Sequence, residues 1–435
     1  MRYALSAACG ALLVLLLVAG CDDDLGPAGD VAELILVTHP ASAPAGALVP
    51  DLVVRALDAE GRAVRGAELT AVALTGGGAA PATTWIADRR GEVALDWTLG
   101  APPVMNTLLV SAGDVDLELA VRAVVETPPV PEPFADVHAF LTARGREGST
   151  EDLAFRGGDA LIIGVPGGLA TLAPEGTVEP ITLSGDAIVS PLGIAYDAQG
   201  RLWVCDDGAV RRVSPGGVVE TVLTDDGAEL LLLPNHIARA PDGAMVFTDS
   251  CLGRIYRVDA SSGAITATLE LDIATQGGPN GVAFGPDGHL WFTTENTVLL
   301  CGHFDIDIDV VDPVAGLYRV ALAPEAFEPP VAVAEGIALF GDGLAFDVEG
   351  NLYASFITEA GFTLDESIIY VLPHGETTLA RFFAVREQVM ANLAFGVGPF
   401  GDSTLYLTLL AIPPFTAPEA RGVLRLPVGI PGLPL

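Results

Sequence analysis

Glu151, Asn235, Asn280 and Asp342 each stand at the entrance of a short apolar run, and each carries side-chain oxygen. Two are carboxylates and two are carboxamides, with no Lys or Arg among them. Gathered at one point, such oxygens would repel unless a cation or protons intervened. The set suits a hard cation with oxygen ligands, Ca2+ before a transition metal: the carboxylates balance its charge and the carboxamides fill coordination positions without adding any. A cation held in this way polarises a carbonyl or phosphoryl oxygen and lowers the pKa of bound water. Taken singly, each residue is also ordinary turn chemistry, because Asn and Asp bond nearby backbone at strand entrances.

A repeat would bring them together. Its copies are "STEDLAFRGGDALIIGV" (149–165), "SPLGIAYDAQGRLWVCDD" (190–207), "LPNHIARAPDGAMVFTDS" (233–250), "GPNGVAFGPDGHLWFTTE" (278–295), "FGDGLAFDVEGNLYASF" (340–356) and "MANLAFGVGPFGDSTLYLTLL" (390–410). Most read as an apolar strand, a Gly-containing turn and a second strand with an aromatic. Segments such as "GRIYRVDASSGAITATLEL" supply two outer strands. Four strands per copy, six times over, describe an all-β fold, a six-bladed β-propeller with a central channel. The first strand of each blade lines the channel, so Glu151, Leu192, Asn235, Asn280, Asp342 and Ala391, spaced by 41, 43, 45, 62 and 49 residues, form one ring at one face. The closing segment "GVLRLPVGIPGLPL" adds a strand to the terminal blade. Which terminus supplies the outermost strand is left open.

The "PNG-V-A-F-x-PDG-x-L-W-F-T" wording and the Glu, Asn, Asn, Asp series resemble the gluconolactonase and regucalcin family, whose relatives include diisopropylfluorophosphatase and, more remotely, paraoxonases and strictosidine synthase. The resemblance covers residues 145 to 435. It implies that Glu151, Asn235, Asn280 and Asp342 bind a divalent metal at the channel mouth, that Asp342 is also the base or nucleophile, and that lactones or organophosphate-like esters are hydrolysed there. After the blade-three Asn the family has Asp, where this chain has His236. That histidine could serve as general base, or fill space beside the ring. Polar substrate contacts are not evident at Leu192 or Ala391.

The remainder of the chain sets the context. Residues 1 to 20 carry Arg2 and an apolar run as a secretory signal would, and "LVAGC" resembles the bacterial lipobox, which makes Cys21 the lipidated first residue of the mature chain and residues 21 to 30 a tether. Residues 31 to 126 alternate apolar and polar side chains between turns, the pattern of an antiparallel sandwich; "DAEGRAVRG" and "ADRRGEVAL" resemble bacterial Ig-like domains. "ETPPVPEPF" reads as a stiff linker over 127 to 136, with the propeller over 137 to 435. Of the remaining cysteines, Cys205, Cys251 and Cys301, an oxidising compartment permits one pair; Cys251 and Cys301 are candidates, and three unpaired thiols are the alternative. All 21 basic residues are Arg, so Schiff-base chemistry is excluded, and a net charge of −35 argues against nucleic acid. "LLCGHFDIDIDVVDP" (299–313) reads as a strand with an acidic exposed side, a solvated edge, a lid or a weak second cation site. No G-x-S-x-G elbow, H-E-x-x-H, Walker loop or paired C-x-x-C occurs.

These readings converge on an exported Ca2+-dependent hydrolase of a lactone or related ester, lipid-anchored to the bacterial cell envelope through Cys21. The alternative is a non-catalytic ligand- or protein-binding propeller with a structural cation, displayed on an Ig-like stalk.

Overall fold

One turn recurs in both halves of the chain. An Asp carboxylate accepts the backbone N–H two and four residues on: Asp58 from Glu60 and Arg62, Asp88 from Arg90 and Glu92, Asp197 from Gln199 and Arg201, and Asp347 from Glu349 and Asn351, all at 2.7–3.0 Å. Gly61, Gly91, Gly200 and Gly350 take the left-handed position of these turns at φ 71–82°, which a Cβ would disfavour. The structure is a computed structural model and describes residues 29–38, 42–81, 83–100, 105–124, 130–158, 160–296, 301, 315–323, 326–360, 363–386, 388–410 and 422–434. Cys21, the signal, most of the tether and, apart from Cys301, the acidic segment 299–313 lie outside the described residues.

In the N-terminal part, a three-stranded sheet (Glu33–Thr38, Val53–Leu57, Glu92–Ala94) packs on a five-stranded one (Ser42–Pro44, Val115–Val124, Met105–Ala112, Glu68–Thr75, Trp85–Ile86). Their inner faces share one apolar cluster that includes Val54, Leu69, Trp97, Leu108 and Val121. Burying each of its large side chains is worth roughly 1.5–3 kcal/mol.

Among the described residues, the C-terminal part shows six antiparallel meanders of four strands, the first five in chain order and the sixth completed by a strand from ahead of the first, a propeller-like arrangement. Their first strands are Leu153–Arg156, Ile194–Tyr196, Pro234–Arg239, Gly278–Phe284, Phe340–Phe346 and Val389–Phe395. The second sheet has one extra strand, Ser184–Gly185, and a single bridge from Glu295 to Phe340 joins the fourth sheet to the fifth. Neighbouring sheets pack through apolar clusters: Trp203, Phe247 and Tyr256 lie between the second and third, Phe292 and Tyr318 pack with Val246 and Ile255 between the third and fourth, and Phe155 meets Phe400 and Tyr406 between the first and sixth. The last interface closes the ring.

Strand pairing closes the ring as well. Glu132–Ala135 is the outermost strand of the sixth sheet and pairs antiparallel with Val423–Pro427, reinforced by an Arg425–Glu132 ion pair at 2.6 Å. This corrects the linker expected over 127 to 136. Pro133 is tolerated there because an edge strand does not need every N–H for its ladder. The N-terminal side therefore supplies the final strand. Helix Val137–Thr142, capped by the Asp136 side chain, follows at once and packs Val137, Phe140 and Leu141 onto the first sheet. Cys251 and Cys301 form a disulfide, Cα to Cα 5.3 Å, while Cys205 is a free, buried thiol.

Candidate functional site

The first strand of a sheet slips by one residue at the same place in four sheets. Register shifts fall between Pro234 and Ile237, Pro279 and Val282, Gly341 and Leu344, and Met390 and Leu393. Such bulges turn two successive residues out of the ladder and re-aim them. The first of each pair is Asn235, Asn280, Asp342 or Ala391; the second is His236, Gly281, Gly343 or Asn392.

Threonines hold three of these bulges. Thr248 accepts the N–H of His236 at 3.0 Å and donates to the Asn280 carbonyl at 2.8 Å; Thr293 accepts from Gly281 at 3.0 Å and donates to the Asp342 carbonyl at 2.7 Å. Thr408 accepts from Asn392 at 2.9 Å and donates to the Glu151 carbonyl. Each hydroxyl thus fixes its own sheet's bulge and the backbone of a candidate ligand in the next sheet. The second bulge residue is glycine where that next strand comes closest: a Cβ on Gly281 would lie 2.3 Å from the Asp342 carbonyl oxygen, and one on Gly343 2.1 Å from Asn392 Oδ1.

Glu151, Asn235, Asn280 and Asp342 are all buried, at 3–8% exposure. Glu151 Oε2, Asn235 Oδ1 and Asn280 Oδ1 have no hydrogen-bond partner, and neither has Asn392 Oδ1. Leaving one buried acceptor unsatisfied costs about 1–3 kcal/mol, so such atoms in a native fold call for an explanation. Unpaired oxygens from two carboxamides and a carboxylate, with Asp342 in the equivalent place of the fifth sheet, fit a hard divalent cation such as Ca2+. No group of three or more His, Cys, Asp or Glu side chains suited to a metal occurs among the described residues; half of this set is carboxamide.

Burial and mutual repulsion disfavour charge on the carboxylates of the site. Burial, then Asp342, Asp152 and Glu295, push the Glu151 carboxyl well above its ordinary range. Burial also raises Asp342, against a lowering pull from His236. Glu295 is pushed up to about 8 by burial and by Asp342, against a lowering influence of the neighbouring Ser250, Asn280 and Asn235 side chains.

His236 is engaged on both ring nitrogens. Its Nδ1 accepts the N–H of Val282 at 3.1 Å, and its Nε2 lies 3.5 Å from Asp152 Oδ2. Burial opposes its protonation, but the neighbouring Asp152 raises its pKa overall. In the neutral ring the proton must sit on Nε2, and Nδ1 has no lone pair to spare, so the geometry does not provide the general base considered for His236. Asp152 in turn accepts from the N–H groups of Leu153 and Ile194, both at 2.7 Å. Leu192 and Ala391 bring no polar atom to their positions.

Three residues at the site escape the sequence reading. Asn392, beside Ala391, donates to Asp342 Oδ1 at 3.3 Å; the doubled bulge hides it from a count of one ring position per sheet. Glu295 accepts from Asn235 Nδ2 at 3.3 Å, although the equivalent residue of the third sheet is Ser250. Asp152 follows a ring residue directly. For the threonines a signal exists: "VFTD", "WFTT" and "YLTL" place them at one offset.

No protein-family profile matches the chain. A gluconolactonase of Zymomonas mobilis is 26% identical over 199 residues, 42% of this chain and 54% of that protein; the chain spans about half the length of the curated relative it matches. Among solved structures, a gluconolactonase of Xanthomonas campestris is 21% identical, with a TM-score of 0.48 over 70% of this chain and 97% of its own. A luciferin-regenerating enzyme is 16% identical, with a TM-score of 0.49 over 70% and 97%.

Proposed function

We propose that this protein is a divalent-cation-dependent hydrolase of a lactone or related ester, working at the mouth of a six-bladed propeller and carried on an Ig-like sandwich. The observation that carries the reading is the set of buried, unpartnered oxygens on Glu151, Asn235 and Asn280 beside Asp342. The sequence similarity to a gluconolactonase supports the reaction class. Ca2+ is the preferred ion, and it would supply carbonyl polarisation and a counter-charge for the carboxylates.

The chain's own residues do the rest. Glu151, Asn235, Asn280 and Asp342 would hold the ion. Asp342, steadied by the Asn392 amide, takes a proton from water as the water oxygen bonds to the carbonyl carbon. The ring C–O bond then breaks, and the leaving alkoxide recovers that proton to give the hydroxy acid. His236, tied to Val282 and Asp152, holds neighbouring strands in place instead of exchanging protons with substrate.

Export and lipidation at Cys21 complete the proposal. The Cys251–Cys301 disulfide supports an oxidising compartment. A second reading, a binding propeller with a structural cation, draws on the apolar Leu192 and Ala391 and on the fully engaged His236. The experiment that separates them measures Ca2+ binding and hydrolysis of lactones and aryl esters by the full chain and by Asp342→Ala. The hydrolase reading expects both to be lost, with a rate decrease of about 10²–10⁴-fold or more. Tight binding without turnover of any such ester gives the second reading, and absence of divalent-cation binding overturns both.

A further inference from the structure

Glu295 is not a fixed feature of the repeat: the residues at its position in other sheets are Asp207, Ser250, Ile357 and Leu410. The equivalent Ser250 is small and neutral, so the fold does not require a carboxylate at that position of a sheet. Yet Glu295 is buried, faces repulsion from Asp342, and bridges two of the candidate ligands. Asn235 Nδ2 donates to its Oε1 at 3.3 Å, and the Asn280 side chain stands close enough to favour its charged form.

A carboxylate can only accept. Whichever carboxamide approaches it must present its NH2 group, which turns the oxygen the opposite way. Both Asn235 Oδ1 and Asn280 Oδ1 are in fact left without partners. Ser250 reinforces the choice for Asn235, because its hydroxyl hydrogen is committed to the Pro279 carbonyl at 2.8 Å and it accepts from Asn235 Nδ2 at 3.0 Å. For the Asn280 side chain, Glu295 is the neighbouring acceptor that its NH2 group favours.

We propose that Glu295 is a positioning residue that holds the Asn235 and Asn280 carboxamides with their oxygens inward, and thereby sets the affinity of the site for a divalent cation. The inference rests on the cation-site reading above. Partners of this kind behind first-contact ligands are worth about 10–100-fold in metal affinity.

The test uses the full chain, with Ca2+ calorimetry and Tb3+ luminescence as probes, on wild type, Glu295→Gln, Asn280→Ala and the double variant. Gln offers one accepting and one donating face, so it cannot hold both amides in the same sense. Glu295→Gln should weaken Ca2+ about 10–100-fold while the melting temperature of the metal-free protein stays level or rises. The double variant should weaken binding by less than the product of the single effects, because part of the action of Glu295 passes through Asn280. Unchanged affinity in Glu295→Gln, fully multiplicative effects, or a lower metal-free melting temperature with normal affinity would each overturn the proposal. If wild type binds neither ion, it is the cation site itself that fails.

Discussion

In the sandwich of residues 33 to 124, Asp58 and Asn106 are the buried polar residues among those described, and both serve turns: Asp58 accepts from Glu60 and Arg62, Asn106 from Gly100. The ring of sheets buries far more, and they fall into two kinds. Thr248, Thr293 and Thr408 are satisfied and fasten one sheet to the next, whereas Glu151, Asn235 and Asn280 keep bare oxygens. The one buried side-chain polar atom without a partner among the described sandwich residues is the isolated Trp97 indole N–H, and a region of that kind needs only to stay folded. A region that leaves several unpaired at one point is built around something else, and the same Asp-and-Gly turn serves both.

That contrast can be broken at its apolar end first. Trp97→Ala, in the middle of the sandwich core, should cost about 3–5 kcal/mol and leave Ca2+ affinity unchanged, as calorimetry on the folded variant would show; a parallel loss of affinity would mean that the two halves are not independent in this respect. A smaller effect comes from Thr293→Val, which removes the hydroxyl shared by Gly281 and Asp342. It should cost about 1–3 kcal/mol in denaturant unfolding and also weaken Ca2+, joining the two properties that Trp97→Ala separates.

The gentlest probe is pH. Glu295 rises from an ordinary 4.5 to about 8 in the folded protein. Across that window the folded state holds a proton that the unfolded state has released, so its contribution is full below the lower value and is lost as pH climbs through the upper one. The metal-free melting temperature should therefore decline from about pH 5 to 8.5, and saturating Ca2+ should flatten or reverse the slope, since cation binding displaces the proton. A metal-free slope of opposite sign would show that Glu295 is already ionised.

The repeat made the ring positions readable because one period placed Asn235, Asn280 and Asp342 in one register. It could not reveal Glu295, which lies on a second strand where its counterpart is serine, nor Asn392, because a bulge aims two neighbours where a regular strand aims one. Glu132–Ala135 was obscured by its own composition: a proline-rich stretch reads as linker whether it is free or forms the edge of a sheet. The pairing of Cys251 with Cys301 required a distance that spacing alone does not supply.

The pairing of Glu132 with Arg425 links residues 293 apart in sequence. On the ribosome, the edge strand is therefore among the earliest parts of the ring to be made, and its partner comes far later. Contacts of such separation carry a large loop-closure entropy before any reward, so the circle is sealed late, and a chain cut short before residue 422 would leave Glu132–Ala135 and Thr404–Leu410 without the strand that pairs with both.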